Sequence, residues 1–222
     1  MKQKSRTEYS VMNTTVAFLA QTLAIFMGFF TRVVFTRTLS EGYVGINGLF
    51  TDILNILSLS ELGVGTAITY ALYAPIARRD IKKQQILMRM FRNFYRITAG
   101  FVLLAGLCLI PFLDILMKDR PDVNHLIIIY LLYLLNSVVS YLLIYKKTLV
   151  DAHQMNYITV MYHNGFLVLQ DILQIMVLFL TRNFILFLVI AVVCTIIGNI
   201  CMSRKADRLF PYLKLSLIHI SE

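Results

Sequence analysis

Residues Gly42–Pro75 read GYVGINGLFTDILNILSLSELGVGTAITYALYAP, and this stretch decides how the rest of the chain is interpreted. Its length and apolar content predict a membrane-spanning helix, because about 20 apolar residues cross a hydrocarbon core of about 30 Å. The stretch nevertheless carries Asp52, Asn55 and Glu61. An acid at the centre of a lone membrane helix costs about 2.5–3.5 kcal/mol on insertion scales. These side chains are therefore expected to face protein or a water-filled cavity.

The composition of the whole chain is that of a multi-span membrane protein. Of its 222 residues, 58% are hydrophobic and only 15% are charged, which is too apolar for a soluble domain of this size. The net charge of +9 is distributed between the apolar runs, so it does not indicate a nucleic-acid-binding face. The cysteines Cys108, Cys194 and Cys201 lie inside apolar runs, and their spacing predicts neither a disulfide framework nor a zinc site.

Six apolar runs predict an all-α, polytopic membrane helix bundle. The predicted spans are about 12–35, 44–73, 94–116, 126–145, 157–180 and 184–201. The first run is too long for a cleaved signal peptide and is interrupted by Gln21. If both termini are cytoplasmic, sixteen of the 21 lysines and arginines lie on the inner side, and the positive-inside rule predicts that orientation. The basic segment 78–96 is expected either to lie along anionic lipid head groups or simply to set the topology.

Polar side chains recur on one face of four of these helices, at about 100° per residue. On the first and fourth helices the faces include Gly28, Thr31, Arg32, Tyr133, Asn136, Ser137 and Ser140. On the second and fifth helices they include Thr51, Asp52, Asn55, Asn164, Asp171 and Gln174. We expect these four helices to line a hydrophilic cleft, although Asn136, Ser137, Ser140 and the small residues of the first helix are also explained by close helix packing.

The chemistry-bearing motifs of common enzyme classes are not seen. There is no P-loop, no GxSxG, no HExxH and no DxD-like sugar-nucleotide motif, and His125, His153 and His163 lack metal-ligand spacing. We therefore predict no enzyme activity, no metal and no cofactor. Glu61 lies off the polar stripe of its helix, and Gly63 and Gly65 make a local bend there plausible.

The run Arg32–Ala77, RVVFTRTLSEGYVGINGLFTDILNILSLSELGVGTAITYALYAPIA, resembles the amino-terminal signature of bacterial polysaccharide flippases. These are the lipid-linked oligosaccharide exporters of the multidrug/oligosaccharidyl-lipid/polysaccharide transporter superfamily. The resemblance depends on the arginines at the end of the first helix, the Tyr43–Ile46 start of the second and the segment Leu59–Gly65. The later spans agree only in number and spacing, and Ser40–Gly42 departs from the pattern, where an earlier glycine is expected.

The resemblance implies one six-helix lobe of a two-lobe transporter in the bacterial plasma membrane. Such a protein moves undecaprenyl-diphosphate-linked oligosaccharide from the cytoplasmic to the outer leaflet by alternating access, with a proton or sodium ion as a candidate coupling ion. The implied partners are that substrate, membrane lipids and a missing carboxy-terminal lobe, but not nucleic acid. The predicted substrate-binding residues are Arg32, Arg37, Thr51, Asp52, Asn55, Asn164, Asp171 and Gln174. The predicted conformational or coupling residues are Glu61, Gly63 and Gly65.

The length of the chain suits one lobe, which we assign to residues 1–214. The final residues 215–222, LSLIHISE, resemble a translated sequencing adapter, and we expect them to be non-native. A native six-span protein that acts as a homodimer is the alternative. Two further functions stay open, namely a cation-coupled drug exporter of the same superfamily and a membrane-embedded enzyme of polysaccharide assembly. The enzyme predicts a large outer loop, whereas the segments predicted to lie outside are short.

Overall fold

The computed structural model describes residues 6–58, 64–117, 123 and 125–212, and every secondary-structure element within these ranges is helical. The α-helices are α1 (Arg6–Thr38), α2 (Glu41–Ser58), α3 (Val64–Ala77), α4 (Ile81–Leu109), α5 (Leu113–Leu116), α6 (Leu126–Tyr141), α7 (Ile144–Ala152), α8 (Asn156–Thr181) and α9 (Phe184–Leu209). A 3₁₀ turn, Ile110–Phe112, joins α4 to α5. The described part of the chain therefore confirms the predicted all-helical fold.

Five helical segments in the described ranges are long and apolar enough to cross a membrane, where six were predicted. They are Val11–Thr38, Ile81–Phe112, Leu126–Ala152, Asn156–Thr181 and Phe184–Leu209. The predicted span 44–73 corresponds to α2 and α3, of which α3 is a shorter apolar helix. Residues 59–63 between them lie outside the described ranges. The count of six spanning helices is therefore not confirmed.

The start of α4 differs from the predicted start of the third span. That span was placed from residue 94, whereas α4 begins at Ile81. Asp80 caps the helix, because its Oδ1 accepts the backbone N–H of Lys83 at 3.0 Å. The basic segment 78–96 is thus mostly the first half of one continuous helix. The predicted second span ended at residue 73, whereas α3 continues through Pro75 to Ala77.

The predicted fourth span, 126–145, is interrupted near its carboxyl end. Helix α6 ends at Tyr141, and Leu143 has a left-handed backbone with φ of 71° before α7 begins. This conformation is strained for a branched side chain. Asn199 of α9 stabilises the break, because its side-chain amide donates to the Val139 carbonyl oxygen at 2.9 Å. A one-dimensional hydropathy pattern carries no sign of this break.

The bundle is organised by α8, α9 and α6, which pack side by side, with α1 lying along α8 and α4 along α6. Aromatic rings fill one end of the core. The ring of Phe184 lies 5.5 Å from that of Phe35 and 5.2 Å from that of Tyr43, both edge to face. At the other end, the Lys146 ammonium of α7 pairs with Asp207 of α9 at 2.8 Å. These contacts hold α1, α2, α7 and α9 around a polar interior.

Candidate functional site

A cavity of about 290 Å³ lies where α1, α2, α6, α8 and α9 meet. Its polar lining consists of Thr31, Arg32, Asn47, Tyr133, Asn136, Gln170, Asp171 and Gln174. These residues come from the four helices on which polar faces were recognised in the sequence. Helix α9 closes one side with the apolar residues Phe187, Leu188 and Ala191. We call this space the central cavity.

The central cavity contains one cation and one anion. The Arg32 guanidinium carbon lies 5.6 Å from the centre of the Phe35 ring, a cation–π contact that helps to orient it. Asp171 of α8 is within hydrogen-bonding reach of the Thr31 side chain on α1. Among the described residues, no ion pair joins Arg32 to Asp171. Both charges therefore remain able to engage a ligand.

Amide side chains cover the α8 and α6 sides of the central cavity. Gln174 is buried, and its Nε2 donates to the Phe187 carbonyl oxygen at 3.0 Å. Gln170 Nε2 in turn donates to Gln174 Oε1 at 3.5 Å. The Oδ1 of Asn136 is buried and has no hydrogen-bond donor within the described part of the protein. Such an acceptor is costly to bury, so it is well suited to a ligand hydroxyl group.

The central cavity adjoins a second one of about 440 Å³, the inner cavity, which lies between α6, α7, α8 and α9. The two share Asn136 and Gln170 as lining residues. Lys147 and His163 line the inner cavity. A chain of polar groups therefore extends from Arg32 toward the α7 end of the bundle.

Three predicted site residues lie on the central cavity: Arg32, Asp171 and Gln174. Asn164 does not contact it, because its buried side chain donates to Gln21 Oε1 at 3.3 Å and so joins α8 to α1. Arg37 lies exposed in the last turn of α1. The structure thus separates three cavity-lining residues from others that lie in packing contacts or outside the cavity.

The predicted polar stripe of α2 faces outward. Thr51, Asp52 and Asn55 are exposed, and the Thr51 hydroxyl donates to the Asn47 carbonyl oxygen of its own helix at 2.6 Å. Gly65, predicted to take part in a bend, lies in the first turn of α3. Glu61 and Gly63 lie outside the described residues.

Sequence reasoning missed Asn47, which α2 contributes to the central cavity. Its side-chain Oδ1 accepts a hydrogen bond from the Tyr133 hydroxyl of α6. The signal was available in the sequence. Asn47 lies four residues before Thr51, and residues four apart are neighbours on the surface of a helix. Tyr133 and Asn136 were recognised on the polar face of their helix, but Asn136 was interpreted as a packing contact and neither was predicted to bind substrate.

Comparison with known proteins found no matching family model, no matching curated protein and no matching solved structure. Over the part of the chain that the structure describes, no group of three or more His, Cys, Asp or Glu side chains could hold a metal ion.

Proposed function

We propose that this chain is one lobe of a membrane transporter that moves undecaprenyl-diphosphate-linked oligosaccharide from the cytoplasmic to the outer leaflet. The observation that carries the proposal is the central cavity, where Arg32 shares the space with amide and hydroxyl groups inside a bundle of membrane-length helices. A guanidinium group matches the oxygen atoms of a diphosphate. Amides and hydroxyls, among them the buried Asn136 acceptor, match the hydroxyl groups of a sugar chain.

The inner cavity supports a path for the head group. Lys147 lies on the inner cavity and Arg32 on the central one, so a diphosphate moving between them would meet a cation at each stage. The polar groups between these two cations would replace the water that the sugars lose. This arrangement suits alternating access, in which one site is exposed in turn to the two sides of the membrane.

The exposed stripe of α2 supports a second lobe. Thr51, Asp52 and Asn55 are exposed on one helix, and a carboxylate is expensive to place against lipid tails. We therefore expect this face to contact the missing carboxy-terminal lobe, or a second copy of the chain in a homodimer. In either assembly, the central cavity of one lobe would open toward the other.

The test is the flux of fluorescently labelled lipid-linked oligosaccharide across proteoliposomes that contain the chain together with its carboxy-terminal lobe. Loss of the guanidinium in Arg32→Ala is expected to lower flux about tenfold or more, because a charge-assisted contact to the diphosphate is lost. Arg204→Ala, which removes an exposed arginine of α9, is the matched control and is expected to transport normally. Normal flux in both Arg32→Ala and Asp171→Asn would show that the central cavity does not bind this substrate.

A cation-coupled drug exporter is the second candidate, and Asp171 is the observation that favours it. An intramembrane carboxylate on a cavity suits an organic cation or a coupling proton or sodium ion. In liposomes with an imposed ion gradient, this function predicts efflux of cationic dyes that Asp171→Asn abolishes and Arg32→Ala leaves intact. The flippase predicts the opposite dependence on Arg32, so the two functions are separated by one pair of variants.

A further inference from the structure

A third cavity, of about 470 Å³, lies between α4, the break that follows α6, and α9. Arg92 and Arg96 of α4 line it, and the remaining wall is made mostly of tyrosine and aliphatic side chains, including Leu142 and Ile196. It shares no lining residue with the central cavity. We call it the α4 cavity, and its combination of two cations with an apolar wall is typical of sites for anionic amphiphiles.

The two arginines are placed to act together. They are four residues apart on one helix and therefore point to the same side. Arg92 is half-buried, and its Nε is buried with no hydrogen-bond acceptor among the described residues. Arg96 also lines the α4 cavity and is more exposed. A buried charged donor without an acceptor is unfavourable. Binding of an anion would supply the missing acceptor.

Neighbouring protein groups do not supply that anion. Within the described ranges, no ion pair involves Arg92 or Arg96. The nearby acid Asp207 is already held by Lys146, whose Nζ lies 2.8 Å from the Asp207 Oδ2 and also donates to Ser203 Oγ at 2.8 Å. Asp207 is therefore paired with Lys146 and not with the arginines of the α4 cavity.

The depth of the arginines matches the phosphate level of the inner leaflet. Helix α4 has 29 residues, which at about 1.5 Å per residue exceed the hydrocarbon core of about 30 Å by several residues at its basic end. The apolar part of α4 begins near residue 94, so Arg92 and Arg96 lie on either side of the boundary. The positive-inside rule places this end on the cytoplasmic side.

We propose that the α4 cavity binds the phosphate head group of an anionic lipid from the inner leaflet, with Arg92 and Arg96 on the phosphate and the aliphatic wall along the first part of its chain. The proposal does not depend on the transport function. A free phosphate ion offers the same oxygen atoms, but it would leave the apolar wall without a partner. The experiment therefore includes both sources of phosphate.

The chain contains no tryptophan, so Leu142→Trp provides a single fluorescent reporter on the wall of the α4 cavity. Leu142 is 43% exposed, and the larger ring is accommodated there without disturbing the core. The full chain with this change is placed in nanodiscs that contain phosphatidate or phosphatidylcholine with brominated chains, which quench tryptophan on contact. We expect phosphatidate to quench at lower mole fractions than phosphatidylcholine, by about fivefold for each arginine engaged.

Three variants in the reporter background test which arginine matters. Arg92→Gln and Arg96→Gln are each expected to reduce the preference for phosphatidate, and Arg92→Lys to retain part of it. Arg89→Gln removes the same charge from an exposed position on the same helix and is the matched control. Far-ultraviolet circular dichroism checks that each variant keeps its helical content, and Arg96→Gln, which alters an exposed side chain, serves if Arg92→Gln does not fold.

Inorganic phosphate, added as a competitor, distinguishes the two sources. Quenching by phosphatidate that resists inorganic phosphate supports the lipid head group as the ligand. Displacement by inorganic phosphate at low concentration would show an anion site that free phosphate occupies, and would overturn the lipid assignment. Equal quenching by the two lipids, or a loss in Arg89→Gln as large as that in Arg92→Gln, would overturn the site itself.

Discussion

Replacing Gly106 with alanine tests the close approach of α4 to α6. A Cβ atom at this position would overlap with Leu134 Cδ1 and would lie 2.9 Å from its Cδ2 and 3.2 Å from its Cγ. Leu134 is buried in the core, and the Gly106 carbonyl oxygen accepts the Tyr130 hydroxyl at 2.8 Å. Ordinary carbon contacts begin at about 3.5 Å. The leucine or the helix must therefore move by about 1 Å to admit the methyl group.

The expected size of the effect follows from three contributions. Overpacking a well-filled core costs about 1–3 kcal/mol. Displacing the Tyr130 hydroxyl from its acceptor costs about 0.5–1.5 kcal/mol more. The preference of helices for alanine over glycine returns about 0.5–1 kcal/mol. We expect Gly106→Ala to lower the free energy of unfolding by about 2 kcal/mol.

Gly100→Ala is the matched control, because this glycine is on the same helix and a Cβ there meets nothing within 4 Å. It is expected to raise the free energy of unfolding by about 0.5–1 kcal/mol. Both variants are compared by titration with sodium dodecyl sulfate in mixed micelles, followed by circular dichroism. The double change Gly106→Ala with Leu134→Ala is expected to be less destabilised than the sum of its parts. Additive effects, or a Gly106→Ala protein as stable as Gly100→Ala, would refute the close approach.

Three further predictions use the same unfolding assay. Lys146→Met leaves the carboxylate of Asp207 buried and unpaired and is expected to cost about 3 kcal/mol. Adding Asp207→Leu should restore most of the loss, and no restoration would count against the ion pair. Burial beside Phe210 lowers the pKa of His153 below its ordinary value of 6.5, so the unfolded chain binds the proton more readily and stability falls as pH drops below 6.5. His153→Asn should flatten this dependence, and an unchanged slope would assign it elsewhere. Asn13→Ala removes two hydrogen bonds, of 3.0 and 2.8 Å, that join α1 to the start of α8, and it is expected to cost about 1–3 kcal/mol. A loss below about 0.5 kcal/mol would show that this junction is not stabilising.

Hydropathy and charge were sufficient to predict a helical membrane protein. A spanning helix must hydrogen-bond its own backbone polar groups and present apolar side chains to lipid. They were not sufficient for the ends of the helices. The start of α4 depends on the cap at Asp80, and the end of α6 depends on the left-handed Leu143 and on the amide of Asn199. Neither of these helix ends coincides with a change in hydropathy, so the apolar runs alone did not locate them.

The sequence predicted the types of residue in the candidate site, but only some of the individual residues that line it. Helical periodicity placed both Asp171 and Asp52 on polar stripes. In the structure Asp171 lines the central cavity, whereas Asp52 is exposed. Arg32 was selected from the family resemblance, and the structure brings it to the same cavity. Asn47 was not selected, although it lies one helical turn before Thr51 on the same helix.

The sequence by itself determined that this chain is helical and apolar enough to be embedded in a membrane, and on which face of four predicted helices polar side chains recur. These properties are local, because they depend on composition and on a period of about 3.6 residues. The tertiary structure decided which polar faces meet, that Arg32 and Asp171 share a cavity without pairing, and that Arg92 and Arg96 line another. Periodicity describes the angle of a side chain about its own helix axis. The rotation of one helix relative to its neighbours is set by packing contacts such as those of Gly106 with Leu134, which join residues far apart in the chain.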